Sequence, residues 1–588
     1  HRILQLFIIC LPFVFSFSTL DPTLHIRFLF LSLIISFLSI YYIIKRKRFI
    51  RAVFSHISTL VFLLITTCYC ISYIYNASNA DSLFILVKLF LIYIFLLFCI
   101  NQLSEYSNRD YFRAVVVSLF FTLIIFFLQF FVPFLDKNEI NFFSSTMANR
   151  NLLASFIYLC MPFLIYTIFS DNRNWKIFSI IIALLSIPVI VVTNSFAVII
   201  AIIISIYLFT VIYKKYSIKR QVIYIVSIFI LVFISTNIFL ENKRGFNNFN
   251  QKIDTFISAK SSTRIALYWS TFKLIKDNFV FGVGPGNWKT TIQEYDLYKQ
   301  HNKLDFMHYN GSSTPQRPHN DFLWLFSEAG FFAGIGYLIF FLILVRGSYY
   351  HYLKDKSEIF NLLFFCTLIG FFCISLVDFP LERISHNIIF LLLIALYIIQ
   401  DIEKGKYRKI LMPKWLPYLF LFISFFSIYI GYIRYTGEVH LSHAIRYKNA
   451  SNWDLVIKEI DAAYNERFYT MDNTSTPLLW YKGLAYFNQN KIKNALTYFL
   501  KANNDNPNHI HSLNNIATCY GLLGDIESSK KYYYNVLDII PTFKESRINL
   551  AVLYYQEKEY SKALDVLLQS HIDVFQNRII NDDNFDYY

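Results

Sequence analysis

The sequence contains few charged residues, and this scarcity limits the kinds of protein it can encode. Charged residues make up 16% of the 588 residues, whereas hydrophobic residues make up 56%. The mean hydropathy is +0.43. A soluble multidomain enzyme needs a more highly charged surface, so the composition argues against one and favours a membrane protein.

Three other features are not predicted: a cleavable signal peptide, metal-binding cysteines and a nucleic-acid-binding surface. No cleavable signal peptide is expected, because Asp21-Pro22 follows the first apolar segment in place of a small-residue cleavage site. The eight cysteines have no metal-like pairing, since seven lie in apolar segments and Cys519 stands alone, so they are interpreted as small apolar residues. The net charge of +15 does not predict nucleic-acid binding, because the basic residues are dispersed over short loops.

Apolar segments of membrane-spanning length recur up to residue 435 and then stop. Length and hydropathy predict about thirteen spans. The predicted spans are 3–20, 26–44, 53–75, 82–100, 112–135, 152–169, 176–193, 196–213, 222–240, 321–345, 359–377, 387–400 and 415–435.

The basic residues predict the orientation of these spans. If the N-terminus is cytoplasmic, most Lys and Arg of the short loops fall on the inside, as the positive-inside rule requires. The sequence then predicts transmembrane helices at 1–240 and 321–436, a periplasmic loop at 241–320 and a periplasmic tail at 437–588, in a multi-pass protein of a bacterial inner membrane.

The tail repeats itself with a period of 34 residues. The residues that recur at this spacing are Pro507 and Pro541, Asn515 and Asn549, Ala517 and Ala551, and Tyr520 and Tyr554. The period and pattern are those of tetratricopeptide repeats, with three units at 476–509, 510–543 and 544–577, and residues 440–475 as a degenerate first repeat or a cap. The predicted fold is therefore all-α, a membrane helix bundle with a C-terminal α-solenoid whose concave face suits a protein partner.

The loop at 241–320 carries the polar residues of most interest. Ser262-Thr263 predicts the start of a surface helix over 264–278, and three glycines follow at 282–286. A nucleotide-binding glycine loop needs a preceding strand, which is not predicted here, so no nucleotide cofactor is expected. The loop holds 11 Lys or Arg against 6 Asp or Glu, so its field attracts a phosphorylated substrate such as an anionic lipid headgroup.

His319 is the residue of this loop best suited to proton transfer. It directly precedes a predicted membrane helix, whose N-terminal dipole disfavours a protonated imidazole. A neutral His319 can act as a general base towards a hydroxyl group. The alternative is that His319 only caps the helix and that Arg264 only extends its charge to lipid headgroups.

Six short motifs follow one another in a fixed order. They are Asn149-Arg150-Asn151, Arg264 with Trp269, Gly282 with Gly284 and Gly286, Pro318-His319-Asn320, Glu328-Ala329-Gly330 and Asp378-Phe379-Pro380. In this order and topology, the chain resembles the O-antigen ligase and polymerase superfamily of bacterial membrane glycosyltransferases. The resemblance covers roughly residues 80–400.

The resemblance implies roles for individual residues. The donor would be a glycan on undecaprenyl diphosphate, Arg264 would bind the diphosphate, and His319 would bind it or deprotonate the acceptor, without a metal or another cofactor. An arginine suits this role because its guanidinium pairs with two phosphate oxygens and stays charged. The further residues expected to bind substrate are Arg150, Asn149, Asn151, Asn320, Glu328, Gly284 and Gly286.

Some of these residues have structural alternatives. Asn149 and Asn151 can cap the sixth span, and the glycines can serve a tight turn that positions Arg264 relative to His319. Glu328 lies inside a span, where an unpaired carboxylate is costly, so a functional or paired role is expected.

The sequence also departs from the family pattern at one place. The family commonly has Ser-Arg at the outer end of a middle span, whereas this chain has Phe196 in place of that arginine. We hypothesise that Arg150 supplies the missing charge; otherwise the donor is held differently.

The leading functional hypothesis is therefore a ligase that moves a preassembled glycan to lipid A-core, to protein or to another surface acceptor. The alternatives within the same chemistry are a repeat-unit polymerase and a protein O-oligosaccharyltransferase. A transporter with a protein-binding tail is less favoured, because few ionisable residues besides Glu328 and Lys88 lie within the spans.

Overall fold

The computed structural model describes residues 2–76, 79–104, 108–131, 144–213, 263–295, 315–405, 410–541 and 543–575. Throughout these ranges the protein is helical, with isolated bridges as the sole β contacts. Helices that contribute to the bundle are α1 (Arg2–Cys10), α2 (Leu24–Ile44), α3 (Arg51–Ser55), α4 (Ile57–Tyr75), α5 (Ala80–Leu103), α6 (Asn108–Phe131), α7 (Arg150–Ser170), α8 (Arg173–Thr193), α9 (Phe196–Tyr213), α12 (Asp321–Lys354), α13 (Ile359–Ser375), α14 (Ile384–Lys404) and α15 (Leu416–Asn449). Between α9 and α12 lie α10 (Thr263–Asp277) and α11 (Trp288–Thr291).

Among the described residues, ten helices are long and apolar enough to cross a membrane. Two shorter apolar segments, Arg2–Phe13 and Ile359–Ser375, coincide with further predicted spans. The predicted span at 222–240 lies outside the described residues, so the count of thirteen stays a prediction. The predicted all-α membrane bundle with a repeat tail is confirmed.

Two helices form the centre of the bundle. In their most apolar windows α14 is 89% buried and α5 is 78% buried, whereas α9 is 11% buried and lies at the periphery. A helix that is apolar on every side can occupy the centre or face lipid, so hydropathy alone does not separate these positions.

Helix α12 is kinked at Gly330, which has a φ of +77°. The backbone of residues 279–280 fits against this kink, because the Phe331 N–H donates to the Phe279 carbonyl at 2.9 Å. A Cβ at Gly330 would lie 2.1 Å from the Val280 oxygen, so only glycine permits this approach. The kink therefore anchors the segment that links α10 to the glycine turn.

The tail consists of antiparallel helix pairs. Its helices are α16 (Trp453–Ala463), α17 (Leu478–Asn488), α18 (Ile492–Asp505), α19 (Ile510–Leu522), α20 (Ile526–Ile539), α21 (Lys544–Gln556) and α22 (Tyr560–Phe575). The pairs from α17 onward coincide with the predicted repeats. Helix α15 crosses the predicted domain boundary at 436 without a break and pairs with α16 around Leu441, Ala444, Val456 and Ile460.

The tail and the loop contact each other at one end of the bundle. The Asn508 side chain donates to the Thr290 carbonyl at 2.9 Å. At the start of α5, Asp81 pairs with Lys289 of α11 and with Arg434 of α15, both at 2.6 Å. The loop and the tail therefore lie on the same side of the bundle, as predicted; the identity of that side as periplasmic stays a prediction.

Candidate functional site

His319 lies in a strained turn directly before α12. Its φ is +52°, a left-handed conformation that is uncommon for residues other than glycine. The ring packs edge-on against Phe379, with 5.0 Å between centroids. Its Nδ1 is buried and has no hydrogen-bond partner among the described residues. Such strain and an unpaired buried nitrogen are typical of a functional position rather than of a helix cap.

Asn320, rather than His319, caps the helix. Its Oδ1 accepts the N–H of Leu323 at 3.0 Å, and its Nδ2 donates to the Leu376 carbonyl at 2.9 Å. Both ends of this side chain are thus engaged in fixing the turn. The predicted role of Asn320 in substrate binding stays a prediction.

Tyr268 connects α10 to this turn. Its hydroxyl lies 3.0 Å from the carbonyl of His319 and 3.0 Å from the carbonyl of Leu376. Arg264 lies one helical turn before Tyr268 on the same face of α10, and its side chain is exposed. Helix α10 is therefore tied to the segment that carries His319, with Arg264 on the tied face.

Helix α10 also has an exposed apolar face. Ile265, Trp269 and Phe272 are about half exposed, whereas Ala266, Leu267 and Leu274 are buried. An apolar face beside a basic residue is typical of a helix at a membrane surface. This exposed apolar face is what the predicted surface helix requires, and residues 263–277 are helical. Ser262, the other residue predicted to cap the helix, lies outside the described residues.

Electrostatics keep the His319 imidazole neutral. Burial is the main cause that lowers its pKa to about 4, and the guanidinium groups of Arg264 and Arg317 lower it further, while Glu382 opposes them. Burial and two nearby cations thus favour the expected neutral imidazole. The charge of Arg264 lowers the pKa of His319 and also opposes the rise in the pKa of Asp378, so these three side chains share one electrostatic environment.

Asp378 is the third titratable member of this cluster. It is buried, and its Oδ1 accepts the N–H of Phe379 at 3.0 Å. Burial raises its pKa, although Arg264 and Arg317 oppose that rise. Its neighbour Arg383 pairs instead with Asp21 at 2.5 Å and with Glu382 at 3.2 Å.

The three glycines form a tight turn against the membrane helices. All three have positive φ, between +70° and +99°. The Val283 and Gly284 N–H groups donate to carbonyls of Ser327 and Glu328 at 2.8 and 3.1 Å. A Cβ at Gly284 would lie 2.7 Å from Asn287, and one at Gly286 would lie 3.0 Å from Ile85. The turn thus has a backbone role, and a role of Gly284 and Gly286 in substrate binding stays a prediction.

Glu328 lies inside the bundle, beside a cavity of about 140 Å³. Its Oε1 accepts the indole N–H of Trp324 at 2.7 Å. The cavity is also lined by Asp321, as the seven-residue spacing predicts, and by Lys88 and Glu382. Since Glu382 also pairs with Arg317 at 2.6 Å, the cavity adjoins the His319 cluster.

The Asn-Arg-Asn motif lies at the start of α7. The Asn149 Oδ1 accepts the N–H of Asn151 at 2.8 Å, which is a capping contact. Arg150 is half-exposed and, among the described residues, makes no hydrogen bond with His319. The structure thus shows the capping geometry, and the substrate roles of Asn149, Arg150 and Asn151 stay predictions.

Sequence reasoning missed Arg317 and Tyr268. The four-residue spacing from Arg264 could have indicated Tyr268, because residues i and i+4 share a helix face. Arg317 gave no comparable indication, since its proximity to Glu382 depends on a contact across 65 residues. A cation–π contact with Phe379, 4.8 Å from the ring centroid, further positions its guanidinium.

Comparison with known proteins agrees with this architecture. Residues 180–338 match the family model described as O-antigen ligase, and residues 510–543 match a tetratricopeptide repeat. The helical fold, the apolar helices and this match thus indicate a polytopic membrane protein with a segment of the O-antigen ligase kind. The resemblance inferred from the motifs is confirmed: the chain carries an O-antigen ligase domain followed by tetratricopeptide repeats.

Two further similarities are more limited. A stretch of 84 residues is 27% identical to Hsp70-Hsp90 organizing protein 3 of Arabidopsis thaliana, which corresponds to 14% of this chain and 15% of that protein. The chain thus spans only a small part of the length of that curated relative. The crystal structure of MamA is similar at 16% identity and a TM-score of 0.22, over 24% of this chain and 79% of that chain.

Proposed function

We propose that the protein transfers a glycan from undecaprenyl diphosphate to a surface acceptor, on the periplasmic side of the bacterial inner membrane. The observation that carries the proposal is the shared environment of Arg264 and His319. These two residues are 55 positions apart in the sequence, yet the Arg264 charge acts on the imidazole and Tyr268 ties their two segments together. The family match to an O-antigen ligase supports the same chemistry.

In the proposed reaction an acceptor hydroxyl attacks the anomeric carbon of the glycan. The bond between that carbon and the diphosphate oxygen breaks as the new glycosidic bond forms, with inversion of configuration. The neutral His319 imidazole takes the hydroxyl proton, and the Arg264 guanidinium pairs with the diphosphate as its charge increases. The chemistry calls for no metal or nucleotide.

Arg317 has a positioning role in this proposal. It is paired with Glu382 at 2.6 Å, so it holds the segment before His319 while its charge lowers the His319 pKa. Arg150 remains the candidate for the second donor contact. An Arg150→Ala variant that reaches the membrane normally and retains full transfer would remove Arg150 from the proposal.

The acceptor is lipid A-core or a protein. A protein acceptor gains support from the tail, because Asn508 of the tail contacts Thr290 directly after the glycine turn. A polypeptide bound on the concave face of the repeats would therefore be held close to the loop. The tail is in either case the proposed docking site for a protein partner.

Reconstitution tests the proposal. Wild type, Arg264→Ala and His319→Ala are placed in vesicles with an undecaprenyl-diphosphate glycan and candidate acceptors, and the glycosylated acceptor is measured. Both variants should lose transfer, while the control Arg113→Ala, which removes the Arg113–Asp171 pair at the far end of α7, should retain it. Movement of the lipid-linked glycan across the vesicle without transfer would instead favour a transporter.

A glycan ladder separates ligase from polymerase. Cells without a ligase accumulate unattached polymer on the lipid carrier. Cells without a polymerase attach single repeat units to the acceptor. The proposal expects the first pattern, and the second pattern would reassign the protein to chain extension.

A further inference from the structure

Two histidines and a glutamate converge where the last membrane helix joins the tail. His440 and His443 are three residues apart on α15 and therefore lie on one helix face. Glu459 lies opposite them on α16. The His440 Nδ1 is 2.7 Å and the His443 Nδ1 is 3.6 Å from the Glu459 Oε2. The three candidate ligand atoms lie within 4.8 Å of one another.

The two separations to Glu459 are near those of a transition-metal site, and the histidine–histidine separation, which is at most 4.8 Å, has to close by up to roughly 1.5 Å. Bonds of about 2.0–2.1 Å from a tetrahedral ion to imidazole nitrogen and carboxylate oxygen place neighbouring ligand atoms roughly 3.3 Å apart. The His443–Glu459 separation of 3.6 Å is close to that value, and the His440–Glu459 separation of 2.7 Å has to open by roughly 0.6 Å. The histidine side chains are 39% and 41% exposed, so small rotations are not resisted by packing.

We propose that His440, His443 and Glu459 bind a divalent transition-metal ion of the Zn²⁺ class. Two imidazoles and one carboxylate suit Zn²⁺, whereas Mg²⁺ and Ca²⁺ prefer ligand sets composed of oxygen. On binding, the His440 Nδ1 that now contacts Glu459 becomes a metal ligand, and the proton of the neutral imidazole is carried on Nε2. Three protein ligands leave one tetrahedral position open to water or to a side chain of a partner.

The placement of the site gives the ion a role. Residues 436–449 of α15 extend beyond its apolar part, and α16 begins the tail. The ion links the exposed edges of α15 and α16, whose opposite faces are already packed around Leu441 and Ile460. It therefore clamps α16, the first helix that lies wholly in the tail, to α15, the last membrane-spanning helix. This site is separate from the His319 cluster, and the transfer reaction does not depend on it.

Zinc binding by the full-length protein tests the proposal. The protein is purified in detergent with a tag free of histidine, stripped with EDTA and titrated with Zn²⁺ against a chromophoric chelator. We expect one tight equivalent per chain. Loss of an outer-shell contact alone weakens metal affinity by about 10- to 100-fold, so His440→Ala, His443→Ala and Glu459→Gln should each weaken binding by at least about 100-fold.

A control and a second readout accompany the titration. His511→Ala removes a histidine of the same tail outside the cluster and should bind Zn²⁺ like wild type. Thermal unfolding should show a Zn²⁺-dependent rise in Tm for wild type and His511→Ala that the three cluster variants lack. Because the two histidines are about 40% exposed and Glu459→Gln keeps the side-chain size, each variant should elute like wild type on size exclusion. Wild type that fails to compete with the chelator, or cluster variants that bind like wild type, would overturn the proposal.

Discussion

The protonation of His319 is a direct consequence of its surroundings. An ordinary histidine, with a pKa of 6.5, is about 3% neutral at pH 5, whereas a histidine with a pKa of about 4 is about 90% neutral. If neutral His319 is the base, the transfer rate at pH 5 should remain close to its value at pH 8 and fall only towards pH 4. Diethyl pyrocarbonate modifies neutral imidazole. The rate at which it modifies His319, measured by mass spectrometry of the peptide that contains His319, should therefore show the same dependence on pH as the transfer rate.

Substitution of Arg317 tests the cause of this shift. Arg317→Gln removes one of the two cations that lower the His319 pKa, so both curves should move to higher pH. Arg113→Gln removes an arginine paired with Asp171 at the far end of α7 and should leave both curves in place. A wild-type midpoint near 6.5, or an Arg317→Gln curve that coincides with wild type, would refute the electrostatic reasoning.

Three further predictions concern the support of the site. Tyr268→Phe should destabilise the α10 contact by roughly 0.5–1.5 kcal/mol, because the one hydroxyl proton that the two carbonyls share is lost. It should also accelerate hydrogen exchange in α10 and slow the transfer rate. Gly330→Ala should abolish monodisperse protein, since the added Cβ would lie 2.1 Å from the Val280 oxygen. The control Gly524→Ala has no atom within 4 Å of the added Cβ, so it should lower the free energy of unfolding only by the roughly 1–2 kcal/mol that a positive φ costs an alanine. Asp81→Asn leaves the Arg434 guanidinium buried without its charged partner and should lower the free energy of unfolding by about 3–5 kcal/mol. Faster hydrogen exchange of the α11 amides would report this loss. A loss no larger than that caused by Lys289→Met would contradict the prediction.

Hydropathy predicted the membrane-spanning helices well, because a span must be long and apolar to cross the lipid bilayer. A span is a long apolar run, so α8 ends and α9 begins where the sequence indicates, at Thr193 and Phe196. The tail was predicted because its period is a local property of the chain. The extension of α15 to Asn449 was not predicted, because polar residues after 435 look the same in a loop and in a helix that leaves the membrane.

The site was predictable only in part. The motif order indicated Arg264 and His319, and the structure brings their segments together through Tyr268. The burial that neutralises His319 was not predictable, since it depends on Phe379 and on packing from a later segment. The carboxylates of α12 were expected to face one way, but the cavity that they share with Lys88 exists only because α4, α5 and α14 surround it together with α12.

The tail participates in the electrostatics of the site, and no local pattern in the sequence shows this. Glu438 of α15 accepts the backbone N–H of Asp21 at 2.9 Å, across 417 residues. The contacts continue from Asp21 to Arg383, then to Glu382, then to Arg317.

From Asp21 to Arg317, each side chain is largely buried and pairs with a side chain of opposite charge, so loss of one charge leaves its neighbour unpaired. Burial would raise the pKa of the Asp21 carboxyl, yet the charge of Arg383 and its hydrogen bond hold that pKa well below its usual range. The last member, Arg317, acts on His319. A chain truncated before Glu438 therefore loses more than a binding module, because it loses the contact that fixes the first residue of a series ending at the proposed base.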